Sequence, residues 1–303
     1  MIKARRIRHA TMSTPDLERQ VDYYQSVVGL GVAHREADRV LMSSDSEQLS
    51  LVLERGTQPR CARLAFEVAS DVDLSATQRW LAERAIKSEV RSDDLPGIAQ
   101  ILTLTDHEGG RIELFASGSA LPAQAAIGGV AVTKLGHVAM YTGDPQATSR
   151  FYNDVLGFRV SDWIEESFVF MRCGFEHHTL NFARGGERRL HHMAFELRDG
   201  AHMLQACDLL GRKRVEILWG PVRHGPGHNV AIYHRNPDGQ LVELFFDMDR
   251  MVDEELGYYD PRPWHRDRPQ KPKVWRGLPR DVWGGAPAPA CHEFARKPAQ
   301  PSG

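Results

Sequence analysis

The chain has 303 residues, enough for one large folding unit or two ordinary ones with cores of their own. Its 38 Lys and Arg stand against 40 Asp and Glu, a formal charge of -2, so it exerts no long-range pull on polyanions and nucleic acid is not expected as a partner. No apolar run reaches the roughly 18 residues that cross a bilayer, and no secretory leader precedes the scattered Cys61, Cys173, Cys207 and Cys291, so a cytoplasmic protein with inert thiols and no membrane partner is expected.

The predicted elements repeat along the chain. IRHATMSTPDLERQVDYYQSVVGLGVAHRE from Ile7 matches LGHVAMYTGDPQATSRFYNDVLGFRVSDWIE from Leu135 at an offset of 128, so His9 falls on His137, Tyr24 on Tyr152 and Gly29 on Gly157. In the first half the strand-like runs VLMSS, LSLVLE and ARLAFEV lead to a helix near Leu74–Ile86, and AQILTLT and GRIELFA follow. In the second half KLGHVAMYT alternates as a half-buried strand does, and TGDP with Pro145 marks a helix start. Phe151, Val155 and Phe158 recur at helical intervals, and Gly157 closes that helix. SFVFMRC, HTLNFAR and LHHMAFEL read as strands, and a helix is expected near His202–Leu210. VEILWG, NVAIYHR and LVELFF come next, the last two parted by an NPDG turn. The GG pairs at 109–110, 128–129 and 185–186 read as turns, not as a nucleotide-binding fingerprint.

Each half is therefore expected to hold two small strand–helix–strand modules whose apolar faces need cover. The fold class that follows is α+β: tandem βαβββ modules forming two related domains, each a curved, incompletely closed sheet of about eight strands around a hollow. The domains are placed at 1–128 and 129–256, with a C-terminal arm over 257–303. The arm is rich in Pro, Arg and Trp, and Trp264, Trp275 and Trp283 are spaced too irregularly for one helix. They are expected to anchor an extended segment over the second half or a neighbouring subunit. Arg262, Arg266, Arg268, Lys271 and Lys273 make it basic, and the terminal APAPACHEFARKPAQPSG is expected to be mobile.

Of 14 histidines, eight lie between 177 and 234, and imidazole is the commonest protein ligand of zinc, iron, copper and nickel. The repeat shows where a metal fits: the second half offers His137, His192 and Glu243, while the first offers His9, Arg63 and Glu113. Arginine has no lone pair to give a cation, so the second half alone holds a full ligand set. Glu243 lies between Val242 and Leu244, and a carboxylate turned inward from an apolar strand is costly unless a cation compensates it. A satisfied core histidine and a Glu–Arg pair form the competing reading, which retention of the full set in one half disfavours. Two imidazoles and one carboxylate form the facial triad of non-haem iron(II), although spacing alone does not choose iron over zinc, manganese or nickel. In strands, one histidine of the pair His177 and His178, and one of His191 and His192, would face inward; His177 and His191 are expected to point away. HGPGHNVAIY, with His224, His228 and Tyr233, reads as a loop and strand end forming a pocket wall.

KLGHVAM around His137, CGFEHHTLNF around His178, RLHHMAFEL around His192, HGPGHNVAIY and NPDGQLVELFF around Glu243 resemble the type I extradiol ring-cleaving dioxygenases of the vicinal oxygen chelate superfamily. That family includes the catechol 2,3-dioxygenases and dihydroxybiphenyl dioxygenases, and the resemblance spans nearly the whole chain. It implies Fe(II), or Mn(II) in its place, on His137, His192 and Glu243. It makes His178 the acid–base residue, His224 and Tyr233 contacts of substrate or intermediate, and His228 a further substrate-side histidine. It also implies a non-catalytic first domain, a catecholic substrate with O2 as the second reactant, no organic cofactor, and a homo-oligomer, with a tetramer as one candidate state. The product would be a ring-opened semialdehyde or oxo-acid of aromatic catabolism, with the ring substituents left open. Two other classes fit parts of the pattern: a nonredox metal-dependent isomerase or lyase on the same scaffold, and a metal-free protein that binds an aromatic compound.

Overall fold

The computed structural model describes residues 2–46, 48–116, 118, 120–121, 123, 128–277 and 282–287. The first half runs β1 (Ala4–Thr14), α1 (Leu17–Tyr23), β2 (Gly31–Arg35), β3 (Arg39–Ser43), β4 (Leu49–Arg55), β5 (Arg60–Val68), α2 (Leu74–Ala82), β6 (Ser88–Leu95), β7 (Ile98–Thr105) and β8 (Arg111–Phe115). The second repeats that order: β9 (Lys134–Thr142), α3 (Pro145–Leu156), β10 (Arg159–Ile164), β11 (Phe168–Arg172), β12 (Leu180–Arg184), β13 (Arg189–Glu196), α4 (Gly200–Arg212), β14 (Trp219–Arg223), β15 (Val230–Arg235) and β16 (Leu241–Phe246). The arm adds β17 (Met251–Asp253), β18 (Tyr258–Tyr259) and β19 (Lys273–Trp275).

Local chemistry sets the helix ends. Asp144 Oδ1 accepts the amides of Gln146 and Ala147 at 3.0 and 3.1 Å, Pro145 sits in the first turn, and Gly157 closes α3 at φ 73°. Asp16 caps α1 in the same way, but α1 runs on into a π turn over Tyr24–Val28 before Gly29 closes it at φ 86°. Both closing glycines are also points of contact between the halves. A Cβ on Gly29 would lie 2.2 Å from Ala131 N, and one on Gly157 would lie 2.7 Å from Ile2 O. Helix α2 stops at Ala82, short of the expected Ile86, and the chain then turns through Ala85 at φ 55°.

The first sheet has the order β2-β3-β4-β1-β5-β8-β7-β6, and the second has β10-β11-β12-β9-β13-β16-β15-β14, the same order under the repeat. The second sheet holds nine strands rather than eight, because β19 of the arm adds to its edge parallel to β10. Among β1–β16, three strands carry no clear signal in the sequence: β2 and β6 bear charged residues, and β10 holds Asp162; the short arm strands β17–β19 lie where only an extended segment is expected. VEILWG becomes a strand only from Trp219 onward.

Apolar residues from both halves form one continuous core, including Tyr24, Phe66, Tyr152, Phe158, Phe182 and Phe195. Polar staples cross the same boundary: Tyr23 Oη to His234 Nε2 at 2.6 Å, and Arg188 to Asp106 at 2.5 Å. The arm lies along the second half as expected. Trp283 O accepts Arg223 N–H at 3.0 Å, the Arg223 guanidinium stands 3.8 Å over the Trp264 ring, and Trp219 Nε1 donates to Gly285 O at 2.7 Å. Arg262 pairs with Asp247 and Lys273 with Asp267, so both of these arm cations find partners within the chain. From residue 288 on, the terminal segment expected to be mobile falls outside the described residues.

Candidate metal centre

Strands β9, β13 and β16 are neighbours, and their register aligns the polar residues. Ala194 on β13 stands opposite His137 on β9 and opposite Glu243 on β16, so the three form one row across the sheet. His192 lies two residues before Ala194 and therefore shares its face. The small alanine leaves room for the two flanking side chains to converge over it. His137 Nε2 lies 3.2 Å from His192 Nε2, and each of these nitrogens lies 3.1 Å from Glu243 Oε2. All three residues are buried.

This donor set suits a divalent cation. Adjacent ligand atoms at right angles about a metal, with bonds of about 2.1–2.2 Å, are about 3 Å apart. The triangle has those edges, and it brings two imidazole lone pairs and an anionic oxygen to one point. Asn229 Nδ2 donates to the other carboxylate oxygen, Oε1, at 2.9 Å, orienting Glu243 and leaving Oε2 turned to the imidazoles. Burial by itself raises the Glu243 carboxyl, but the charge and hydrogen bonds of His137 and His192 outweigh it and hold the group well below the ordinary carboxylate range. Burial also lowers the His192 imidazole, against the opposing pull of Glu243.

Around the triad stand the other histidines and tyrosine singled out in the sequence. His178 precedes β12 and sets its ring edge-on to His137, with centroids 4.3 Å apart. Burial, then the neighbouring His137 and His177, push its imidazole well below the usual value. Tyr233 on β15 pairs directly with Glu243 in the sheet, and its hydroxyl lies 2.8 Å from His224 Nε2. Trp219 stacks on Tyr233 at 4.9 Å, completing a wall of three rings beside the triad. His228 lies elsewhere in the loop network: its Nδ1 is 2.7 Å from Asp249 Oδ2, and Asp249 also meets His265 of the arm at 2.9 and 3.0 Å.

The expectation of strand alternation for the paired histidines is corrected by the structure at His177. His177 and His178 lie in the loop between β11 and β12, not in a strand; His177 Nδ1 is 2.9 Å from His178 Nδ1, and its Nε2 faces Asp162 rather than the triad. His191 also turns from the triad, packing against Tyr141 at 4.8 Å beside a cleft of about 1480 Å³ between the halves, although its Nδ1 stays 2.8 Å from that of His192. Asn229, Trp219 and Asp162 are partners that the sequence reading did not single out. Asp162 lies between Ser161 and Trp163 and lacks the apolar flanks that mark Glu243, and Asn229 sits in the quoted HGPGHN segment.

In the first half the equivalent row is His9, Ala65 and Glu113. There Arg63 takes the place of His192, and its Nε lies 2.9 Å from Glu113 Oε1.

Two copies of one βαβββ pair, each folded into a curved sheet, with the buried cluster of His137, His192 and Glu243 on the row that Arg63 closes in the first copy, define a duplicated α+β protein with a candidate metal centre built from the repeat; among the described residues His228, Asp249 and His265 form a second buried group of two imidazoles and a carboxylate. The Glyoxalase/Bleomycin resistance protein/Dioxygenase superfamily model matches residues 6–114 and 134–244, and the chain belongs to that superfamily. It is 28% identical over 272 residues to 2,2',3-trihydroxybiphenyl dioxygenase of Sphingomonas paucimobilis, covering 82% of this chain and 91% of that protein. Its fold matches homoprotocatechuate 2,3-dioxygenase of Brevibacterium fuscum at a TM-score of 0.82, with 24% identity over 96% of this chain and 92% of that one. It matches the Mn(II)-bound glyoxalase of Novosphingobium aromaticivorans almost as well, at 0.81 and 24% over 96% and 94%.

Proposed function

We propose that the protein is an extradiol dioxygenase that opens a catecholic ring with O2, breaking the carbon–carbon bond beside the diol and placing both oxygen atoms in a semialdehyde or oxo-acid product. The observation that carries this reading is the buried triangle of His137, His192 and Glu243 with His178, Tyr233 and His224 gathered around it. The trihydroxybiphenyl dioxygenase named above, alike over most of its length, supports the same chemistry. The second half is then the catalytic domain and the first its non-catalytic partner.

His137, His192 and Glu243 would hold Fe(II), with Mn(II) as the alternative ion. The iron, when bound, supplies adjacent coordination sites for the diol and for dioxygen and a path for charge between them. With Glu243 held in its anionic form, the ligand set brings one carboxylate charge and two imidazole nitrogens to a cation. His178 is uncharged at neutral pH and can take a proton from a diol hydroxyl and return it to an oxygen as the ring opens. Tyr233 and His224 can hydrogen-bond a substrate oxygen, and the stacked Trp219 keeps that wall in place. His228 fixes the loop that carries His224, its Nδ1 being committed to Asp249.

Protein loaded with Fe(II) without oxygen and given a panel of catechols should, when air is admitted, consume one O2 per diol and form a yellow ring-opened product. No uptake with iron bound and still ferrous, and with diol bound, would overturn the reading. Activity supported by zinc or nickel would then favour a nonredox isomerase or lyase on the same scaffold.

A further inference from the structure

His178 is the inner end of a buried chain of hydrogen bonds that begins in the C-terminal arm. Its Nδ1 lies 2.9 Å from His177 Nδ1, and His177 Nε2 lies 3.1 Å from Asp162 Oδ2 on β10. That same Oδ2 accepts Trp275 Nε1–H at 2.8 Å, and Oδ1 accepts the Lys273 backbone N–H at 2.8 Å. Both donors belong to β19, which pairs with β10 in the register Asp162 to Lys273. Asp162, His177 and His178 are 1, 1 and 3% exposed, so water does not compete for these bonds.

The chain has a direction. An ionised carboxylate only accepts, so His177 Nε2 carries a proton towards Asp162. In the arrangement proposed here His177 carries that one proton only, so its Nδ1 holds a lone pair and the bond to His178 forms by donation from His178 Nδ1. That leaves the lone pair of His178 on Nε2, the ring nitrogen outside the chain and the one available to a reactant. The surroundings hold this arrangement. Phe170 packs against both rings at 5.8 and 5.3 Å, and Tyr259 against His177 at 5.2 Å. Gly227, at φ 77°, closes over the pair, where a Cβ would stand 3.1 Å from His177 Nδ1 and His178 Cε1.

We propose that His177, Asp162 and the arm strand β19 are positioning elements that hold His178 with its proton on Nδ1 and its lone pair on Nε2, which makes the arm a working part of the catalytic half. The catalytic weight of this arrangement rests on the reading of His178 as the acid–base group; the tautomer itself does not. A neutral imidazole otherwise divides between two tautomers, and a carboxylate behind it selects one, as a carboxylate does for the histidine of a serine protease.

The test has two readouts. Imidazole 15N shifts of protein loaded with diamagnetic Zn(II) should show the proton of His178 on Nδ1; a proton on Nε2 overturns the proposal whatever the enzyme's activity. Kinetics of two variants then separate positioning from packing. The amide of His177→Gln can accept from His178 and donate to Asp162, and should keep kcat within a few-fold of wild type. His177→Leu fills the space without either bond and should lose about 10–100-fold in kcat while iron content and KM stay near wild type. Equal kcat in the two variants, or a loss confined to KM and iron content, overturns the proposal. Trp275→Phe, which removes one donor at a half-buried site, should lower kcat by about tenfold or less even if the leucine variant does not fold; unchanged kcat there overturns the role of the arm. Absence of O2 uptake in the wild type would sink the dioxygenase reading instead, and the 15N measurement would still decide the tautomer.

Discussion

Arg63 stands in the first half where His192 stands in the second, each two residues before the alanine that separates a histidine from a glutamate in the same row of the sheet. The permanent charge of Arg63 does for the buried Glu113 what a bound cation would do for Glu243. One scaffold thus has two ways of keeping a carboxylate inside an apolar sheet, and only one of them leaves ligands for a metal.

Arg63→Ala should therefore destabilise the protein by about 3 kcal/mol, because it leaves Glu113 buried with less compensation, Arg91 at 3.5 Å remaining its other cationic neighbour. Urea unfolding measures the loss. Iron content should be unchanged, since His137, His192 and Glu243 belong to the other half.

His192→Ala removes one corner of the triangle and should abolish tight iron binding; full iron occupancy after dialysis against a chelator would contradict the ligand assignment. Asn229→Leu leaves the triangle intact but frees Glu243 to rotate. Its iron affinity should fall by about tenfold, as read by competition with a chelator.

His178→Asn should keep iron and lose roughly 100-fold or more in turnover, the usual worth of a placed acid–base group. Oxygen electrode rates beside metal analysis on the same sample provide the comparison. Wild-type turnover in this variant would remove the acid–base role.

His234 ties stability to pH. It is fully buried against Tyr23, and burial lowers its imidazole to about 4. In the unfolded chain it titrates near 6.5. Between these values the unfolded state binds more protons, so stability rises with pH. The contribution is complete above about pH 6.5, declines as the pH falls, and is spent by about pH 4, a change of about 3 kcal/mol. Urea midpoints taken from pH 7 to pH 4 should show this acid limb, and His234→Gln should flatten it.

Much of this was legible before folding because the signals are local or repeated. Helix caps such as Asp144 with Pro145 and Gly157 act within one turn, and the apolar alternation of KLGHVAMYT acts within one strand. The offset between the halves exposed Arg63 against His192 without any structure. The exceptions have equally specific causes. β10 is masked by Asp162 within it, and strand alternation does not govern His177 because the chain there has left β11 for a loop.

By itself, the sequence determined the duplication, the helices with their caps, most of the strands and the three residues that converge in the second half, since each depends on short-range periodicity or on comparing one half with the other. The tertiary structure alone decided how the site is held. Asn229 reaches Glu243 across a strand pair, and Trp275 reaches Asp162 from 113 residues away. No local pattern specifies such contacts, because a hydrogen bond depends on where two side chains meet in space, and only the packed sheets bring those two together.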